Sequence, residues 1–373
     1  MAEDELRRSI NLLELDRQQL AALLQSWGEP AYRADQLWAW LYRHLAASTE
    51  EMTDLPGSLR ARLERECLPT PLQPVKSQLS ADGATEKVLF RLPDGQTVET
   101  VLMSYTGRRH TVCISTQVGC AMGCPFCATG QGGFVRNLTA GEIVGQVLHF
   151  GRQLKTPSPP GGMKRGRVTN VVFMGMGEPL ANYRATWQAI ARLNDPEGFG
   201  LGARRMTIST VGLVPGIRRM AGEPLQVGLA VSLHAPDDAL RDRLAPVNRR
   251  YGLAQLMAAC REYVEVTNRR VTFEYALMNE VNDAPEQATQ LADLLADLLC
   301  HVNLIPLNPT HPTGHSYVAS PRARVMAFRA VLLRRGIPVT LRLRRGLDIW
   351  AGCGQLRGRP PVGHESRLRE NGT

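Results

Sequence analysis

The sequence predicts an α/β protein: an incomplete (β/α)6 barrel of the TIM-like kind, with a small N-terminal helical accessory domain and a β-hairpin linker. Three observations lead there. From Thr111 onward strand-like runs alternate with helical ones six times, the order that builds a parallel sheet with helices packed across it. Residues 5–66 instead show apolar positions at helical spacing. Between the two, from Glu86 to Met103, the period changes to two around Pro93-Asp94-Gly95, as in a hairpin.

Taken in order, Leu12, Leu13, Leu15, Leu20, Leu23 and Leu24 recur at roughly helical spacing until Gly28-Glu29-Pro30 breaks the run. A second amphipathic stretch holds Leu37, Trp38, Trp40, Leu41 and Tyr42. Asp54-Leu55-Pro56-Gly57 is a turn, and Leu59 to Cys67 a last short helix. The expected barrel strands are Thr111–Thr116, Val168–Met174, Arg205–Ser209, Gln226–Ser232, Arg270–Leu277 and His301–Ile305. The expected helices are Thr139–Leu154, Tyr183–Leu193, Asp238–Arg243, Gly252–Val266 and Pro285–Leu299. Lys155 to Arg167, rich in proline and glycine, is expected to be an exposed loop. The organisation that follows is 1–75 helical accessory domain, 76–108 hairpin linker, 109–347 barrel core and 348–373 C-terminal tail.

A length of 373 residues suits one large domain with an accessory piece, and 43% hydrophobic with 21% charged residues is ordinary globular composition. No apolar run approaches the ~18 residues needed to cross a bilayer. The acidic start Met1-Ala2-Glu3-Asp4-Glu5 lacks the apolar core of a signal peptide, so a cytoplasmic location is expected. The net charge of +9 is uneven: Pro321–Thr373 holds twelve arginines against three acidic residues, and the first 320 residues balance. Such clustering, including Arg342-Leu343-Arg344-Arg345, suits phosphate neutralisation on nucleic acid or a solvated surface.

Three of the eight cysteines set the chemistry. Cys120, Cys124 and Cys127 lie in a CxxxCxxC spacing, and thiolates so close together are expected to share one inorganic centre. A structural zinc site or a complete iron–sulfur cage wants four ligands, and the flanking cysteines, Cys113 and Cys260, are not near in sequence. Three thiolates on a cubane leave one iron open, where chemistry can occur. Cys67, Cys260 and Cys300 fall in apolar helical patterns and are expected to be buried. The expected strands end in small or polar residues: Gly175-Met176-Gly177-Glu178-Pro179, Ser209-Thr210, Ser232-Leu233-His234 and Asn308-Pro309. With the cysteine loop that follows the first strand they make five strand ends, which on one face of a barrel would form a cofactor cradle. Gly175-Met176-Gly177 is not a dinucleotide fingerprint, because Leu180 stands where the third glycine belongs.

The cysteine triplet, GMGEP, SxxG from Ser209, SLHAP, NP, Arg345-Gly346-Leu347-Asp348-Ile349 and Gly352-Cys353-Gly354-Gln355-Leu356 occur in that order. Together they resemble the radical S-adenosylmethionine RNA methyltransferases of the RlmN/Cfr family, over nearly the whole chain. That resemblance implies a radical-SAM barrel with one 4Fe-4S cluster on Cys120, Cys124 and Cys127 and S-adenosylmethionine on the fourth iron. Gly177 and Glu178 would hold the amino group of its methionine, with Ser209, Ser232, Leu233, His234 and Asn308 lining the rest of the pocket. It makes Cys353 a methyl carrier, Cys113 the thiol that resolves a protein–RNA crosslink through a transient disulfide with Cys353, and Glu99 the base that takes the ring proton. The implied activity is methylation of adenosine carbon 2 in the peptidyl-transferase region of 23S rRNA and in tRNA just 3′ of the anticodon. A carbon-8 activity is the alternative, and a non-methylating iron–sulfur protein the remoter one. Expected partners are 23S rRNA and tRNA, gripped in part by the N-terminal helices, and a flavodoxin- or ferredoxin-type electron donor. A monomer without membrane contact is expected.

Overall fold

A computed structural model of the chain describes residues 10–68, 70–106, 108–156, 166–310 and 317–358. The expected loop at Lys155–Arg167 and the tail beyond residue 358 therefore fall largely outside the described residues.

The N-terminal module contains helices α1 (Arg17–Ser26), α2 (Tyr32–Ala39) and α3 (Gly57–Glu66). Asp16 caps α1, its carboxylate accepting from the Gln19 N–H while the Gln19 side chain returns to the Asp16 N–H. Leu20, Leu24, Leu37, Trp38, Leu41, Leu59 and Leu63 are buried between the helices. Ile10–Asn11 pairs in parallel with Cys67–Leu68 and closes the module. It docks on the core through Arg192, whose guanidinium donates to the carbonyls of Leu13 and Glu14.

Among the described residues the core sheet has ten strands. In chain order they are β1 (Gln73–Leu79), β2 (Thr85–Arg91), β3 (Thr97–Ser104), β4 (His110–Cys113), then β7 (Asn170–Phe173), β8 (Met206–Thr210), β9 (Gly228–Ser232), β10 (Val271–Leu277), β11 (Cys300–Pro306) and β12 (Val339–Leu341). The labels β5 and β6 belong to a separate two-stranded ribbon, Gln117–Gly119 with Phe134–Asn137. Across the sheet the order is β12-β11-β10-β9-β8-β7-β4-β3-β2-β1. All pairs from β4 to β12 are parallel, and those from β1 to β4 antiparallel. The six expected strands stand in sequential parallel order, as an open barrel requires.

The difference from expectation lies at the edges. The segment read as a linking hairpin pairs into the same sheet, since Val101 of β3 lies opposite Cys113 of β4. An outer strand, β1, and a three-residue strand, β12, extend the two ends. Helices α4 (Ala128–Gln131), α5 (Ala140–Lys155), α6 (Tyr183–Asn194), α7 (Val214–Ala221), α8 (Asp238–Leu244), α9 (Leu253–Thr267), α10 (Pro285–Leu294) and α11 (Arg322–Arg334) fill the connections. Helix α10 stops earlier than expected, shortly before Asp297 turns left-handed at φ 61°. The buried core runs through the sheet, with Val112, Val171, Ile208, Ala230, Phe273 and Val302 fully enclosed.

Candidate active site

The C-terminal strand ends surround a cavity of about 220 Å³, lined by Cys113, Cys120, Cys124, Cys127 and Cys353 among others. The cysteine loop is pinched at its base by the β5/β6 ribbon, where the Cys120 N–H donates to Gly133 O at 2.7 Å. Gly119 must be glycine there: at φ +76° an added Cβ would lie 1.9 Å from Gly133 O. At the other end, Cys127 takes the N-cap position of α4 without a side-chain capping bond, and the nearby N–H groups of Gly130 and Thr129 oppose the effect of burial on its thiol. Burial pushes the Cys120 thiol up to about 12 and raises those of Cys124 and Cys127. A positive centre is needed to hold them as thiolates. Among the described residues no three metal-binding side chains converge on one point fit for a single ion. A cubane makes no such demand, because each thiolate takes its own iron.

Behind the loop, Gly177 adopts φ +99°, and a Cβ there would lie 2.5 Å from Gln117 Cβ. Glu178 is buried, its Oε1 accepting from Leu180 N–H at 3.0 Å and its Oε2 from Val211 N–H at 2.8 Å. Burial still pushes its carboxyl up to about 7. Ser209, Ser232 and His234 line the cavity from the ends of β8 and β9. His234 sits at φ 60°, with Asn282 donating to its carbonyl at 2.8 Å. Its Nδ1 accepts from Ala276 N–H at 3.0 Å, so the proton is on Nε2. Burial, with the Arg241 cation adding, pushes its pKa down to about 3. Its ring meets Phe126 edge-on at 4.9 Å, packing the cysteine loop on β9. Leu233 turns into the core instead, leaving only its backbone near the site.

Cys353 is brought to this cavity by a network of tail contacts. Gly354 O accepts from Ala128 N–H at 2.8 Å, and Leu356 O from Thr129 Oγ1 at 2.6 Å. Cys353 O accepts from Asn308 Nδ2 at 3.1 Å, and Gln355 Nε2 donates to Pro309 O at 2.8 Å. Cys113 is buried at the end of β4, its thiol pushed up to about 12 by burial and then by the nearby Cys353, with Arg342 opposing. All eight cysteines are free thiols.

Glu99 lies on the same β3 face as the cavity-lining Val101 and Met103, but its carboxylate is engaged elsewhere. Oε1 pairs with Lys87 at 2.8 Å in a buried ion pair. Oε2 accepts from the N–H groups of Arg357 at 2.6 Å and Gly358 at 3.1 Å.

Two arginines were not legible as site residues. Arg241 is fully buried, donating to Val211 O at 2.5 Å, Leu233 O at 3.2 Å and Asn248 Oδ1 at 2.8 Å. It thus ties the end of β8 to that of β9. Its place on α8 looks like a solvated helix face, and no sequence signal separates the two. Arg342, in a cluster read as suiting nucleic acid or a solvated surface, lines the cavity, where Cys353, Glu274 and Cys113 raise its pKa. Glu274 Oε2 stands 3.8 Å from its Nη1.

Residues 10–68 match the ribosomal RNA large subunit methyltransferase N-terminal domain, and residues 114–292 the radical SAM superfamily. The probable dual-specificity RNA methyltransferase RlmN of Chloroflexus aurantiacus is 54% identical over 357 residues, covering 94% of this chain and 93% of that protein. The chain belongs to the RlmN family of radical SAM RNA methyltransferases. The RlmN of Moorella thermoacetica, under the same description, is 49% identical over 350 residues, 93% of this chain and 97% of its own. A crystal structure of a radical SAM methyltransferase from Sphaerobacter thermophilus superposes with a TM-score of 0.89 at 52% identity, covering 94% of this chain and all of that one. Membership in the RlmN family implies a 4Fe-4S cluster and S-adenosylmethionine, and the donor set fits both. Three thiols face one cavity, and Asn308, which lines it, keeps a buried Oδ1 with no hydrogen-bond partner among the described residues. A bound donor would satisfy that atom. Among the described residues no helix is long and apolar enough to cross a membrane.

Proposed function

We propose that the chain methylates carbon 2 of adenosine in the peptidyl-transferase region of 23S rRNA and 3′ of the anticodon in tRNA, by way of a methyl group carried on Cys353. The observation that supports this reading is the tail geometry: Cys353 is pinned to the cysteine loop through Gly354 O and Leu356 O, with Cys113 in electrostatic reach. A merely structural cysteine between two glycines would need neither neighbour.

In this reading Cys120, Cys124 and Cys127 hold the cluster. Gly177, Glu178, Ser209, Ser232, His234 and Asn308 hold S-adenosylmethionine, with Leu233 contributing its backbone. Once bound, these groups supply an electrophilic methyl and, after one-electron reduction by a flavodoxin- or ferredoxin-type donor, a carbon radical able to take hydrogen. The Cys353 thiolate, with the Arg342 guanidinium as its counter-charge, accepts the methyl. After that methyl loses a hydrogen atom, its carbon bonds to the adenine. Glu99 takes the ring proton, for which its carboxylate must exchange the Arg357 and Gly358 amides for substrate. Once the adduct has also given up its unpaired electron, which the cluster on Cys120, Cys124 and Cys127 would accept, Cys113 attacks the Cys353 sulfur and forms a disulfide. The bond from that sulfur to the product carbon breaks, and the electron pair left on the carbon takes up a proton to complete the methyl group. The protein acts as a cytoplasmic monomer.

Nucleoside analysis of rRNA and tRNA from a deletion strain, with and without the restored gene, tests the reading. It requires 2-methyladenosine to vanish and return. Appearance of 8-methyladenosine instead would assign the sister activity.

A further inference from the structure

We propose a second RNA-binding site at the opposite end of the barrel sheet, which grips the phosphates of a substrate segment remote from the reacting nucleotide. The inference rests on the chain acting on RNA, and not on which carbon is methylated. A cavity of about 570 Å³ opens in the seam between the helical module and the barrel floor. Its cations come from loops that feed the N-terminal ends of three adjacent parallel strands: Arg108 and Arg109 before β4, Arg167 before β7 and Arg205 before β8. All four are exposed, and among the described residues no acidic side chain lines the cavity. The intervening residues 157–165 also contain no acid.

The other two cations are already committed. Lys155 Nζ donates to the carbonyls of Arg43 at 2.9 Å and His44 at 3.0 Å, which joins the module wall to α5. Arg43 pairs with Glu197 at 3.2 Å. By contrast, Arg108, Arg167 and Arg205 have no ion-pair partner among the described residues. Arg109 stacks over the Tyr105 ring at 3.8 Å, a contact made by the guanidinium face that leaves its in-plane N–H donors for an anion. Like charges held together without counter-charge are costly unless a polyanion completes them. The cavity exceeds what one phosphate needs, and Phe199 gives it an apolar wall for a sugar or base. Strands of four or five residues rise about 13–17 Å, which sets Arg108, Arg167 and Arg205 that far from the strand ends beside Cys353, while Arg109 abuts Tyr105, a residue that also lines the catalytic cavity. RNA large enough to reach both ends of the sheet is the polyanion the activity supplies.

The test compares wild type with Arg108→Gln/Arg205→Gln on two substrates: a full-length tRNA and a short stem–loop holding only the target loop. Methylation of Cys353 by S-adenosylmethionine without RNA, read by peptide mass, checks that the variant folds and completes its first half-reaction. For full-length tRNA we expect KM to rise about tenfold with kcat unchanged, and the slope of log affinity against log salt to flatten by about two. The stem–loop should lose nothing. An unchanged KM and salt slope for tRNA would overturn the proposal. So would an equal loss on both substrates, which would move these arginines to the catalytic mouth. A variant impaired only in its reduction by the electron donor would assign the face to that protein instead.

Discussion

Replacing Arg241 with methionine keeps the length and apolar stem of the side chain but removes every donor. Two buried backbone acceptors, Val211 O and Leu233 O, then lose the guanidinium that now bonds them at 2.5 and 3.2 Å. A deserted buried acceptor costs about 1–3 kcal/mol, so the pair predicts a loss of about 2–6 kcal/mol. Removing the buried charge returns part of this, since burial pulls the guanidinium down to about 10. A net loss of about 3 kcal/mol is expected. The damage should also be local, because Val211 N–H holds Glu178 and Leu233 leads into His234. Arg241→Met should therefore weaken S-adenosylmethionine binding more than Arg241→Lys, which keeps one donor centre. Urea unfolding followed by circular dichroism gives the first number, and equilibrium binding of S-adenosylmethionine to the cluster-loaded protein gives the second. A stability loss below about 1 kcal/mol with unchanged binding would refute the view that this side chain ties β8 to β9.

Three further outcomes follow from the same geometry. Glu178 has a folded-state pKa raised to about 7 from 4.5, chiefly by burial; its neutral form therefore adds stability below about pH 4.5 that is lost as pH rises through about 7. Glu178→Gln should remove that slope, worth about 3 kcal/mol, in unfolding titrations from pH 4 to 8, and a variant that kept the slope would contradict the assignment. Gly177→Ala should abolish S-adenosylmethionine binding, because a Cβ would meet Gln117 Cβ at 2.5 Å on a backbone at φ +99°; binding within threefold of wild type would show that the loop can yield. Lys87→Met should strand the buried Glu99 carboxylate, costing about 3–5 kcal/mol, whereas Lys87→Met/Glu99→Gln should recover much of it in the same unfolding assay.

The barrel was legible because its strands are short apolar runs separated by long amphipathic helices, and period alone distinguishes them. The sheet edges were not. Gln73–Leu79 has mostly exposed side chains, and Val339–Leu341 is too short to show a period, so only pairing with β2 and β11 makes them strands. At the site, Gly177, His234 and Asn308 were legible as small or polar residues at strand ends. Arg342 was legible only as charge: nothing in Arg342-Leu343-Arg344-Arg345 says which guanidinium turns inward. Glu99 shows the opposite limit. Its strand face follows from alternation, but its partners, Lys87 and the amides of residues 357 and 358, depend on how the distant tail folds back.

The central claim is that Cys353 passes a carbon to RNA and Cys113 releases it. The direct measurement is the mass of the Cys353 peptide from Cys113→Ala after incubation with S-adenosylmethionine, reductant and RNA, followed by nuclease and protease digestion. A nucleoside joined to Cys353 through one carbon is the predicted result. Methylated RNA formed at the wild-type rate, with Cys353 free of any adduct, would contradict it.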